Sequence, residues 1–102
     1  MKRQQDGYLE DAQLQKEILK HIEKDRYRLT RHADEELKND DLDLNDVLHI
    51  LKNGKHNHKK TGFNNKRQMW HYAIDGITKD LKNVRVIIAF VGEMLIITAM
   101  EV

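Results

Sequence analysis

Apolar residues recur with a helical period in the first half of the chain and with a period near two in the second. Leu14, Ile18 and Ile22 form a narrow stripe on a segment otherwise built from Gln, Lys and Glu. This predicts an amphipathic helix from Leu9 to about Arg26, docked along one edge of the fold. Tyr27-Arg28-Leu29 reads as a short extended piece. Thr30 then caps a helix from Arg31 to about Asn39, with Ala33 and Leu37 inward and Asp34, Glu35 and Glu36 outward. Asp43 caps a third helix, on which Leu44, Val47, Leu48 and Leu51 keep the i, i+3, i+4, i+7 pattern, and Gly54 stops it.

Beyond Gly54 the pattern predicts a polar strand over Lys55–Thr61, a turn at Gly62-Phe63-Asn64-Asn65 and a strand over Lys66–Asp75. Two apolar strands follow, Val84–Val91 and Met94–Met100, joined by a tight turn at Gly92-Glu93. The expected fold is α+β: N-terminal helices packed on a four-stranded, mostly antiparallel sheet. The whole chain, 1–102, reads as one domain, with 1–26 an additional helix and 27–102 the core. Val84, Val86, Ile88 and Phe90 point to one face of their strand, and Ile87, Ala89 and Val91 to the other. Helices on one face leave the second open. Either the N-terminal helix wraps across it, or a second subunit or a cognate binding protein covers it.

Composition narrows the chemistry. Of 102 residues 39% are hydrophobic, which supports a single core. With no cysteine, a disulfide scaffold, a thiolate metal site and a cysteine nucleophile are excluded. The start, MKRQQDGYLED, lacks the apolar segment of a signal peptide. The longest apolar run, Val86–Val91, falls far short of the roughly 20 residues that span a bilayer. No membrane association and a cytoplasmic location are expected. No phosphate-binding glycine loop, HExxH, GxSxG or paired-cysteine zinc motif is present, which argues against an ATPase, a Rossmann dehydrogenase or a zinc protease.

The net charge of +1 conceals an asymmetry. Residues 1–53 carry 10 Lys+Arg against 13 Asp+Glu, and residues 54–102 carry 8 against 4. Lys55, Lys59, Lys60, Lys66 and Arg67 fall before Tyr72 with no carboxylate among them. Such a segment attracts phosphate backbones, and it serves equally as a solvated hairpin rim. Alternation along Lys66–Ile74 sets Arg67, Met69 and His71 on one face and Lys66, Gln68, Trp70 and Tyr72 on the other. Cations beside aromatic rings suit RNA or single-stranded DNA, although Trp70 also fits the core face of its strand.

His56 and His58 share one side of a strand, and His71 on the next strand comes within range. Three neutral histidines suit zinc, as in a metal-binding regulator, but a polar, exposed edge strand is the plainer role: no carboxylate or fourth ligand is evident, so no metal and no cofactor are expected. His32 follows Arg31 in the first turn of a helix, where free N–H groups attract anions and the dipole favours a neutral imidazole; local capping is the plainer role. Arg85 interrupts an apolar strand and must reach solvent, a carboxylate or a bound phosphate. Thr98 offers a hydroxyl to the same site or simply fills its strand.

Thr30-Arg31-His32-Ala33, then Asp46-Val47-Leu48-His49-Ile50-Leu51, then Ile96-Ile97-Thr98 form an ordered pattern. It resembles a small bacterial family of domains of unknown function that looks related to RelE-like and BrnT-like toxins of toxin–antitoxin pairs, in the wider group that includes barnase. The resemblance covers roughly residues 27–102. It implies a RelE-like fold and metal-independent RNA cleavage, with His32 and Thr98 matching the family's histidine and closing threonine, and Arg67 and Arg85 matching loosely. On that reading His32, Arg67, His71, Arg85 and Thr98 are catalytic. Arg31, Lys59, Lys60 and Lys66 hold the nucleic acid, and an antitoxin-like protein is a partner. The acidic run Asp34-Glu35-Glu36 departs from the arginines common there in the family. The alternative is a non-catalytic nucleic-acid or protein-binding module on the same fold.

Overall fold

The computed structural model describes residues 7–102. The N-terminal stretch read above for a signal peptide therefore lies partly outside the described residues, at Met1–Asp6. No helix among the described residues is long and apolar enough to cross a membrane.

Three helices form where the apolar period places them. Helix α1 (Asp11–Glu23) buries Leu14 and Ile18. Helix α2 (Arg31–Asn39) starts at Thr30, whose Oγ1 accepts from the Ala33 amide, and buries Ala33 and Leu37. Helix α3 (Leu44–Asn53) starts with a reciprocal box: Asp43 Oδ1 accepts from the Asp46 amide at 2.9 Å, and Asp46 Oδ2 from the Asp43 amide at 3.0 Å. Helices α1 and α2 both end through an aspartate in the left-handed region, Asp25 at φ 55° and Asp41 at φ 56°. At each end the amide one residue further on closes back over the last turn, Arg26 N–H to the His21 carbonyl and Leu42 N–H to the Leu37 carbonyl, both at 2.8 Å. Helix α1 thus stops at Glu23, three residues short of the predicted end.

The sheet is larger than four antiparallel strands. It comprises β1 (Tyr27–Leu29), β2 (Lys55–His56), β4 (Met69–Ile77), β5 (Asn83–Phe90) and β6 (Met94–Glu101) in the order β1-β6-β5-β4-β2, and β3 (Gly62–Asn64) pairs with the start of β4. Strand β1 runs parallel to β6, with Leu29 opposite Ile96, and the remaining pairs are antiparallel, so the sheet is mixed. A bulge in β6 falls between the pairs Ile88–Ile96 and Ile87–Thr98.

Three expectations change here. The strand over Lys55–Thr61 breaks after His56, because Asn57 folds the chain back: its Oδ1 accepts from the Lys60 amide and its carbonyl from the Thr61 hydroxyl. The stretch Gly62–Asn64 is a strand, not a turn. The turn comes later, at residues 65–68, where Asn64 Oδ1 takes the Arg67 amide at 2.8 Å and Gln68 adopts φ 55°. Lys66 and Arg67 therefore lie on a hairpin tip and do not alternate along β4.

All three helices pack on one face. Leu14, Ile18, Ala33, Leu37, Val47, Ile50 and Leu51 share a single core with Tyr72, Ile74, Val84, Val86, Ile88 and Ile96. Helix α1 thus joins the same layer as α2 and α3 and does not wrap across the second sheet face. That face carries His71, Ala73 and Asp75 on β4, Arg85, Ile87 and Ala89 on β5, and Leu95 and Thr98 on β6.

Candidate functional site

The segment after α3 builds a short arm at the β4 edge. Gly54 allows it to start: a Cβ there would lie 2.5 Å from the Asp75 carbonyl oxygen. Asn57 N–H then donates to the Ala73 carbonyl, and Asn57 Nδ2 donates to Asp75 Oδ2 at 2.8 Å. On the arm Lys59, Lys60, Lys66 and Arg67 are exposed. No carboxylate among the described residues pairs with any of these four. Beside them Phe63 is exposed and meets Trp70 edge-on at 5.4 Å, and Tyr8 meets the same indole at 4.6 Å. Phe63, Trp70, Met69, Tyr72 and Phe90 line a concavity of about 340 Å³. The indole is half-buried against the core, and its Nε1 finds no acceptor among the described residues.

Of the residues read as catalytic, Arg67 and His71 come near each other. Burial lowers the His71 imidazole pKa below its ordinary 6.5, and the Arg67 charge lowers it further. His71 Nε2 is buried without a hydrogen-bond partner among the described residues. Arg85 reaches a carboxylate: its Nε and Nη2 donate to the two oxygens of Asp75 at 2.9 and 3.1 Å. This fork, then the Asn57 amide, holds the Asp75 carboxyl below the usual range, and Asp75 raises the Arg85 pKa. Of the three destinations open to Arg85, the structure fills the carboxylate. Thr98 sits opposite Ile87 on the helix-free face.

His32 stands apart from these residues. It is exposed on α2, with Nε2 3.4 Å from Glu36 Oε2. Arg31 lies 3.9 Å from Glu35. Helix α2 packs over β6, where Ala99 N–H donates to Glu36 Oε1, and two strand spacings, about 10 Å, separate β6 from β4, whose His71 belongs to the opposite, helix-free face.

The histidine pair of the arm has a different third member from the one the spacing implied. His56 Nδ1 and His58 Nε2 lie 2.8 and 2.7 Å from one oxygen of Asp11, at the start of α1. These donor atoms all fall within 4.8 Å of one another, a grouping that does not include His71. The contact with the His56 ring, then that with the His58 ring, lowers the Asp11 carboxyl pKa. Asp11 was missed because 45 residues separate it from His56 and nothing in its local sequence marks it.

A family model described as "Domain of unknown function (DUF4258)" matches residues 29–101, and the chain belongs to that family. The matched residues lie within 27–102, and α1 precedes them. No curated protein and no solved structure matches the chain. Nothing in these comparisons links the family to RelE-like or BrnT-like toxins.

Proposed function

We propose that this member of the DUF4258 family is a nucleic-acid-binding module that holds single-stranded RNA along the β2–β4 arm. The observation that carries the reading is the set Lys59, Lys60, Lys66 and Arg67, exposed together and without carboxylate partners among the described residues. Unmatched cations release counterions when they meet phosphates, which makes a polyanion their natural partner. Phe63, on the same arm, offers an exposed ring, and stacking one base contributes about 1–3 kcal/mol. The toxin-like ribonuclease reading requires His32 within reach of the phosphodiester that Arg67 and His71 address. Helix α2 lies two strand spacings, about 10 Å, from β4 and on the other face of the sheet from His71, which favours binding over cleavage.

The test is anisotropy of a labelled single-stranded RNA over a salt series, in excess chelator, with the RNA run on a gel afterwards. Intact RNA should bind. The pairs Lys59→Ala/Lys60→Ala and Lys66→Ala/Arg67→Ala should each weaken binding and flatten the log–log salt slope by about 1.4, at roughly 0.7 per lost phosphate contact. Absent binding, or binding indifferent to both pairs, defeats the reading. Chelator-resistant cleavage abolished by His32→Ala would restore the ribonuclease.

A further inference from the structure

We propose that Asp11, His56 and His58 form a binding site for a borderline divalent cation, with Zn²⁺ the best fit. The inference is independent of RNA binding and rests on where protons can sit. Thr61 Oγ1 has one proton, and because the Asn57 carbonyl 2.9 Å away can only accept, that contact takes it. The same oxygen accepts the Ala73 amide at 3.0 Å and lies 2.8 Å from His56 Nε2. With its only proton committed, the hydroxyl must accept from His56 as well, so Nε2 carries the ring proton. The neutral ring then turns the Nδ1 lone pair towards an Asp11 carboxylate oxygen 2.8 Å away. Two lone pairs aimed at each other at this distance need a positive centre between them, either an added proton or a metal ion.

The surroundings favour the metal. His58 brings a second nitrogen to the same oxygen at 2.7 Å, its ring centroid 4.1 Å from that of His56. Around a tetrahedral zinc with bonds near 2.0–2.1 Å, neighbouring donors stand about 3.3 Å apart. The present contacts are about half an ångström tighter, so a small outward shift of Asp11 and His58 admits the ion. Both have room for it: their side chains are 63% and 58% exposed, whereas His56 is 5% exposed and fixed by Thr61. Two imidazoles and one carboxylate suit zinc over calcium or magnesium, and the exposure of Asp11 and His58 lets water supply a fourth ligand.

The experiment is calorimetric titration of Zn²⁺ into chelator-treated, tag-free full-length protein. One ion should bind per chain. Asp11→Asn and His58→Ala alter exposed side chains and should each weaken binding at least about tenfold, with circular dichroism unchanged. Controls at His32→Ala and His71→Ala should retain it. Co²⁺ in place of zinc should show the d–d absorption of a four-coordinate site, lost in Asp11→Asn. No one-to-one binding by the wild type, or binding equal in Asp11→Asn and His58→Ala, overturns the site.

Discussion

At the β1–β6 edge, basic side chains face carboxylates. Arg28 meets Glu93 at 3.2 Å, Arg31 meets Glu35, His32 meets Glu36 and Lys38 meets Asp34 at 3.1 Å. At the β4 edge, Lys59, Lys60, Lys66 and Arg67 stand on the arm with no such counterpart among the described residues. The two regions contain similar numbers of basic side chains and differ in what surrounds them. Matched charge on a helix surface contributes a few tenths of a kcal/mol and presents little field to a ligand. Unmatched charge contributes nothing to the fold, and its field remains available to a polyanion.

The comparison can be broken most forcefully at its boundary, where Arg85 and Asp75 provide a matched pair beneath the arm. Asp75→Ala strands a part-buried guanidinium and frees Asn57, and should cost about 1–3 kcal/mol in chemical denaturation. A change below a few tenths would mean that the arm is not anchored there. Next in size is exchange of charge between the regions. Lys66→Glu/Arg67→Glu should weaken RNA at least about tenfold, or 1.4 kcal/mol, whereas Arg31→Glu/Lys38→Glu should leave it within about twofold. Equal losses would mean that net charge alone binds the RNA.

A pH experiment sharpens the contrast without altering charge number. The folded chain holds the His71 pKa below 6.5, so the unfolded chain takes up that proton first as pH falls. The stabilisation is complete above about pH 6.5 and is lost as pH drops through the window below it. NMR titration should show the imidazole moving back towards 6.5 in Arg67→Ala, because one cause of the depression is removed. An unmoved titration would separate the two residues. The smallest effect is expected at the matched edge, where His32→Ala should change stability by no more than about 0.5 kcal/mol.

The helices were legible because their apolar stripes need only neighbours within a turn or two. Their ends were less so: Asp25 and Asp41 adopt a conformation usually marked by glycine. Strand β1 looked isolated because its partner lies in the closing segment of the chain, and no local pattern encodes a parallel pairing at that range. The site was divided in the same way. The unaccompanied lysines of the arm are adjacent in sequence and could be read there. Asp11 beside His56, and Asp75 beneath Arg85, exist only after α1 and β4 have docked.

The parallel seam between β1 and β6 also sets an order of events for a nascent chain. Thr30 N–H binds the Ile96 carbonyl and its hydroxyl the Ile97 carbonyl, so the start of α2 is fastened to a strand synthesised after β1–β5. Until β6 emerges, β1 has no neighbour and Ala33 and Leu37 no sheet to cover them. Completion of the domain is therefore governed by contacts of high sequence separation, which slow folding. A chain cut before Met94 would lose more than a peripheral strand, since β6 lies between β1 and β5 in the sheet.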